Sequence, residues 1–339
     1  MFGGLRLLLA LVVCLSHLGL TVGGHHPGVS AVIVFYLLAG YVTRALIEVQ
    51  LKTPAAFYME RLIRLAPPYL GALAAATIVW LMVNPASHFT QRAPSLMDWI
   101  ANISVVPLNY FMWTGQDRFT LVPPAWSLAV ELQFYLLAPW LFRFNRLAIS
   151  LTLASLVIYV VAGLGLINTD WWGYRLLPGV LFVFMIGAGL RSHPRLVALL
   201  VCFGSAILLA VLILRPETQR TFNVETAIGL MFGAPLLAAL SLARRRQWDE
   251  VIGHLAYPVF LSHFLILWIF EALGLSGPSI LSSLPVLALY ILVTLAFSFC
   301  LYLATELPFV SLRRKLRSVS ATTPHFERKS FRKDLTGTK

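Results

Sequence analysis

The sequence predicts an all-α, polytopic integral membrane protein with about ten transmembrane helices and both termini in the cytoplasm. Three observations carry this reading. The 339 residues are 59% hydrophobic and only 12% charged, with a mean hydropathy of +0.81, far from the balance of a soluble domain. That apolar content divides into ten stretches, each near the ~20 residues that cross a bilayer. The Lys and Arg residues then sort by side: with ten spans, 21 of the 26 fall in one set of loops and termini. Basic residues are retained on the cytoplasmic side, which orients the chain. The same composition excludes disorder, a coiled coil and a disulfide scaffold.

The predicted spans are 5–22, 29–47, 66–83, 124–142, 148–167, 176–190, 196–214, 224–242, 255–273 and 285–306. Segment 97–113 is apolar but broken by Asn102, Pro107 and Asn109, and reads as a re-entrant or interfacial piece. Residues 1–24 imitate a signal sequence, but His17 interrupts the apolar run, so the segment reads as the first span. The membrane domain is placed at 1–317, followed by a basic, flexible cytoplasmic tail at 318–339. Cys14, Cys202 and Cys300 each sit in an apolar run without paired spacing, so no metal site is expected. The net charge of +12 is then chiefly a matter of membrane orientation, not a nucleic-acid surface. The triplet Arg244–Arg246 reads as one such topology determinant.

Ionisable groups within the bilayer are costly, and mark function by default. His17 follows Arg6 by eleven residues, ~16 Å along a helix. Glu131 precedes Arg143 by twelve residues on a span of opposite direction, which puts it at a similar depth. His263, nine residues after His254, falls near the same level. Two imidazoles and a carboxylate at one depth can build a general-base site, because a carboxylate orients an imidazole and favours its proton uptake. Ser127, Glu131 and Tyr135 form a stripe four residues apart, with Trp126 at its outer start. Interhelical hydrogen bonding is the competing explanation for either histidine, and pairing with an arginine for Glu131. On the cytoplasmic side, 54–65 reads as an interfacial helix with Arg61 and Arg64 on one face. That spacing suits phosphate or a lipid headgroup.

These residues fall into a pattern that resembles the membrane-bound acyltransferase-3 family, of the surface-polysaccharide O-acetyltransferase type. The resemblance runs over nearly all ten spans and rests on five segments in order. They are Leu5-Arg6 with His17; the stretch 31–41, similar to AV..FF.LSGY; 57–68, similar to F...R..R..P; 126–135, similar to WSL..E..FY; and 255–263, similar to LSY..YL.H. Departures are Ala39 in place of serine, and Ala256 and Phe260 in place of serine and tyrosine near His263.

The resemblance implies an enzyme that moves an acyl group, acetyl in the first instance, from cytoplasmic acyl-CoA to a hydroxyl of a cell-surface carbohydrate such as exopolysaccharide or an O-antigen repeat. It implies no bound cofactor and no metal, with acyl-CoA (acetyl-CoA) as co-substrate. The partners are the lipid bilayer and a carbohydrate acceptor, possible in lipid-linked form, with no nucleic acid. The expected location is the inner or plasma membrane. His17 and Glu131 become the catalytic base pair. Arg6, Arg61 and Arg64 hold the CoA phosphates. Trp126, Ser127, Tyr135, Tyr257 and His263 shape the pocket. A proton-coupled transporter using His17 and Glu131 is the alternative, and a non-enzymatic scaffold a third reading. The transporter lacks a supporting feature such as an internal repeat, and the scaffold predicts that His17 and Glu131 are replaceable without loss of acetylation.

Overall fold

The computed structural model describes residues 2–49, 53–243 and 247–322, with side chains to Arg317. Lys52 and Arg244–Arg246, counted above in the orientation, lie outside the described residues, as do 323–339 of the expected tail.

Nine described helices are long and apolar enough to cross a membrane. In chain order the helices are α1 (Gly3–His17), α2 (Pro27–Val49), α3 (Pro54–Val83), α4 (Leu96–Ser104), α5 (Phe111–Thr114), α6 (Ala125–Arg143), α7 (Asn145–Gly163), α8 (Leu177–Ser192), α9 (Pro194–Leu214), α10 (Asn223–Leu242), α11 (Gln247–Ala272), α12 (Gly277–Ser282), α13 (Leu284–Thr305) and α14 (Val310–Thr322). The expected all-α membrane fold is present. The broken segment near 97–113 becomes α4, a 3₁₀ turn over Val106–Tyr110 and α5, and not a further span. Val105 between them takes φ +67°, outside helical geometry.

Four boundaries differ from the sequence expectation. The first span stops at His17, not near residue 22. Gly19 explains the stop: its φ of +103° cannot continue a helix. Its N–H donates to the Ser16 carbonyl and that of Leu20 to Leu15, the paired bonds of a glycine-ended helix. The second difference is that 54–65 is not a separate interfacial helix. It forms the first turns of α3, which runs through Pro67 and Pro68 without interruption. Two prolines remove the donors that the Ile63 and Arg64 carbonyls would otherwise receive; beside them, α11 adds a bond of its own, the Tyr257 hydroxyl donating to the Leu65 carbonyl at 3.2 Å. The third is α11, which starts at Gln247 and not near 255. Its Asp249 accepts from the N–H groups of Gly3 and Gly4 at 3.0 and 2.8 Å, capping α1 and fixing the turn that bears Arg6. The fourth is the tail boundary at 318, which α14 overruns to Thr322.

Helix α1 packs against α11 and α2, α2 against α8 and α10, and α11 against α13 and α3. Close approach of α2 and α8 depends on small residues. A Cβ at Gly40 would sit 1.8 Å from the Phe184 carbonyl oxygen, and one at Gly187 2.0 Å from that of Leu37. Without a hydrophobic drive between helices in lipid, such backbone approach is what holds a bundle together. The large apolar side chains of α7 and α9 are instead exposed at the surface, as lipid-facing helices require.

Candidate functional site

Two cavities reach into the bundle from opposite ends. The larger, about 460 Å³, lies beneath the loops 84–95 and 115–124 and the turn that precedes α8. Its wall includes His17, His26, Trp126, Ser127, Arg175, Phe260 and Phe264. The smaller, about 110 Å³, lies at the end rich in arginine and is lined by Arg6, Arg61, Arg64, Glu131, Tyr135 and Tyr257, among others. Ser127 and Phe260 line both. They form the wall between the two spaces.

In the histidine cavity, the glycine stop at Gly19 leaves His17 as the last residue of α1, exposed to the space. His17 Nδ1 lies 3.0 Å from Nε2 of His263, and the two rings stack with centroids 5.1 Å apart. His263 is fully buried, and its Nδ1 lies 3.2 Å from the Val259 carbonyl oxygen. A carbonyl only accepts, so in the neutral pair His263 donates from Nδ1 and accepts at Nε2. His17 therefore donates from Nδ1, and its Nε2 keeps a lone pair. The bond sequence assigns the tautomers. A neutral base with a free nitrogen in a cavity is what proton abstraction from a hydroxyl needs.

Across this cavity stands Arg175, 4.5 Å above the Trp126 ring and 5.3 Å from that of Phe111. It pairs with Asp170 at 2.7 Å. Nothing in the sequence singled Arg175 out; it counted only as one of five basic residues on the far side.

The basic cavity brings together Arg6 of α1, Arg61 and Arg64 of α3, and Glu131 and Tyr135 of α6. Glu131 accepts a hydrogen bond from the Tyr135 hydroxyl, as the stripe along α6 suggested. The Arg61 guanidinium lies 5.5 Å from the centre of the Tyr135 ring and pairs with Glu60. Its Nε and Nη2 both face the Glu60 carboxylate. Glu60 is fully buried and also binds Arg313 at 3.3 Å and Arg317 at 2.5 Å, tying α14 to α3. This hub lay within the segment read as interfacial. Nothing in the local sequence indicated that three guanidiniums would converge on one carboxylate.

The predicted residues therefore fall into two groups. His17, Trp126 and Ser127 line one cavity, with His263 buried behind His17; Arg6, Arg61, Arg64, Glu131, Tyr135 and Tyr257 meet in the other, with Ser127 common to both. His17 and Glu131, expected as a pair, face different spaces, and the partner that His17 bonds is His263. Among the described residues, no group of three or more His, Cys, Asp or Glu could hold a metal ion.

A family model described as an acyltransferase domain matches residues 2–303, nearly the whole chain. An uncharacterized protein of Aquifex aeolicus is 37% identical over 164 residues, covering 46% of this chain and 74% of that protein. Peptidoglycan O-acetyltransferase OatA of Listeria monocytogenes is 29% identical over 191 residues, 52% of this chain but 29% of OatA. The chain thus spans under a third of OatA's length. No solved structure matches.

Proposed function

The chain belongs to the acyltransferase-3 family and is a multi-pass membrane acyltransferase that moves groups other than amino-acyl groups; from this premise we propose that it carries an acetyl group from cytoplasmic acetyl-CoA to a hydroxyl of an envelope carbohydrate. The observation that carries the reading is the back-to-back pair of cavities. One is lined by three guanidiniums at the basic end, the other by His17 of a hydrogen-bonded imidazole pair, and only Ser127 and Phe260 line both.

Coenzyme A is a phosphate-bearing thiol, and guanidiniums bind phosphate through paired hydrogen bonds. Arg6, Arg61 and Arg64 take this part, at the end that the charge distribution assigns to the cytoplasm. The basic cavity is far smaller than a nucleotide. It suits the thioester end of the donor, with the phosphates at its mouth. The acceptor enters the histidine cavity, where Trp126 offers a flat apolar face of the kind that sugars stack on. His17 Nε2 accepts the acceptor's proton as its oxygen attacks the thioester; the C–S bond then breaks, and CoA leaves as its thiol with that proton passed on from His17. His263 holds the tautomer and ring plane.

Glu131 contributes from the other side of the wall. It fixes Tyr135 and offsets the charge of three arginines. The acceptor class follows the likeness to a peptidoglycan O-acetyltransferase and the motif resemblance, and the membrane is the inner or plasma membrane.

The test is a strain lacking the gene, complemented with the wild type or with His17→Ala. Alkali-labile acetate on purified envelope glycans should return only with the wild type. Label from acetyl-CoA fed to inverted membrane vesicles should reach the same fraction. Full ester content with His17→Ala, or label that stays in the aqueous pool, overturns the proposal.

A further inference from the structure

Arg61 lines the basic cavity, yet an acid stands directly before it in the chain. Arg61 Nε donates to Glu60 Oε2 at 2.7 Å. The motif F...R..R..P leaves the position of Glu60 open, so the acid belongs to this chain and not to the pattern. A carboxylate paired with an arginine cancels the charge that a phosphate would meet. Glu60 is fully buried, so solvent and salt screen it little. Two further guanidiniums reach the same carboxylate, both from α14. Glu60 Oε1 accepts from Arg313 Nη2 at 3.3 Å and from Arg317 Nη2 at 2.5 Å. Arg313 Nη1 also donates to Glu306 at 3.3 Å. Helix α14 starts at Val310, past residue 303, where the match to the family model ends. A basic helix that served only to anchor the chain would turn its guanidiniums outward to lipid headgroups. Arg313 is turned inward instead and is 7% exposed.

We propose that α14 is a positioning element of the donor site: Arg313 and Arg317 take up the charge of Glu60 and leave that of Arg61 available to a phosphate of CoA. The assignment rests on the acyl-CoA reading above. The cluster of Arg61, Arg313 and Arg317 with Glu60 and Glu306 holds three positive charges and two negative ones, a net +1. Without the two guanidiniums of α14, Arg61 would stand against both carboxylates, a net −1. The sign of the charge behind the cavity wall therefore depends on α14. With α14 in place, Glu60 still fixes the Nε–Nη2 edge of Arg61, beside the Tyr135 ring at 5.5 Å. Arg61 is held in one place without being neutralised, which spares the donor the cost of ordering it.

The decisive variants are Arg313→Gln with Arg317→Gln, and the same pair with Glu60→Gln added. Glutamine keeps an oxygen that can accept from Arg61 Nε but carries no charge. In the purified full-length protein, the double variant should raise the Kd for CoA and the KM for acetyl-CoA about tenfold, within the usual span of coupling between sites, with kcat within about twofold of wild type. Adding Glu60→Gln should return both constants to near the wild-type values. A helix that merely braces the fold predicts the reverse, because the third substitution removes what remains of the cluster. Wild-type affinity in the double variant overturns the assignment, and so does a loss that Glu60→Gln does not restore. Arg317 is partly exposed, so Arg317→Gln alone serves where the double variant does not fold. It should give a smaller rise in KM, again reversed by Glu60→Gln, and an unchanged KM overturns the assignment. If the wild-type protein binds no CoA, the donor reading fails and this assignment fails with it. CoA bound equally by wild type and double variant sinks this assignment alone.

Discussion

The two cavities solve different problems with different chemistry. The basic cavity is crowded with charge: three guanidiniums and a carboxylate line it, and the buried Glu60 hub stands behind Arg61. The histidine cavity is four times larger and is lined by His17, bonded to His263, and by aromatic rings, with Arg175 held by Asp170. Charge suits recognition of a fixed anion. Proton transfer needs a neutral nitrogen with a free lone pair. The contrast teaches that binding and base functions sit on opposite faces of one thin wall, so variants on each face should fail in different ways.

The largest effect should come from His17→Ala. Acetyl transfer should drop by about 10³-fold, within the range for loss of a general base, while CoA affinity measured by calorimetry stays unchanged. Equal loss of binding would dissolve the division between the cavities. Next is His263→Ala, which leaves His17 in place but removes the ring that sets its tautomer. A fall of about 10- to 100-fold in turnover is expected, again without effect on CoA.

Arg64→Ala probes the other face and is a cleaner test than Arg61, whose loss would strand buried Glu60. It should raise the KM for acetyl-CoA about tenfold, the value of one charge-assisted hydrogen bond, with a smaller change in kcat. The smallest effect is set for Glu131→Gln. A loss of a few-fold in kcat/KM is expected, with the midpoint of the kcat–pH profile unmoved, because Glu131 does not bond His17. A shifted midpoint would restore the His17–Glu131 pair and break the comparison.

Much of the fold was legible because bilayer spans declare themselves by length and by Lys/Arg sidedness. Two errors share one physical cause. The reading that separates 54–65 from the span at 66 misses the continuity of α3, and the one that carries the first span to 22 misses its end before Gly19. Local propensity decides neither outcome alone. Tyr257 supports the proline turn from another helix, and the αL geometry of Gly19 is visible only once its carbonyl partners are known.

The site was legible at the level of depth, not of partnership. Counting residues put His17, Glu131 and His263 near one level, but helix rotation decides which face each side chain shows. Hence His17 turned to His263, and Glu131 to Tyr135.

The wall at Ser127 and Phe260 has an electrical consequence. Where polar, water-accessible hollows approach from both ends, the insulating layer shrinks to what separates them, and the membrane potential falls mostly across that distance. Moving one elementary charge through the full potential is worth about 2.3 kcal/mol per 100 mV. In the proposed reaction, the phosphates stay on one side of the drop and the acetyl group that crosses is neutral. The one charge that crosses is the proton that passes from His17 to the departing sulfur, and it moves towards the cytoplasm, the direction a negative-inside potential favours.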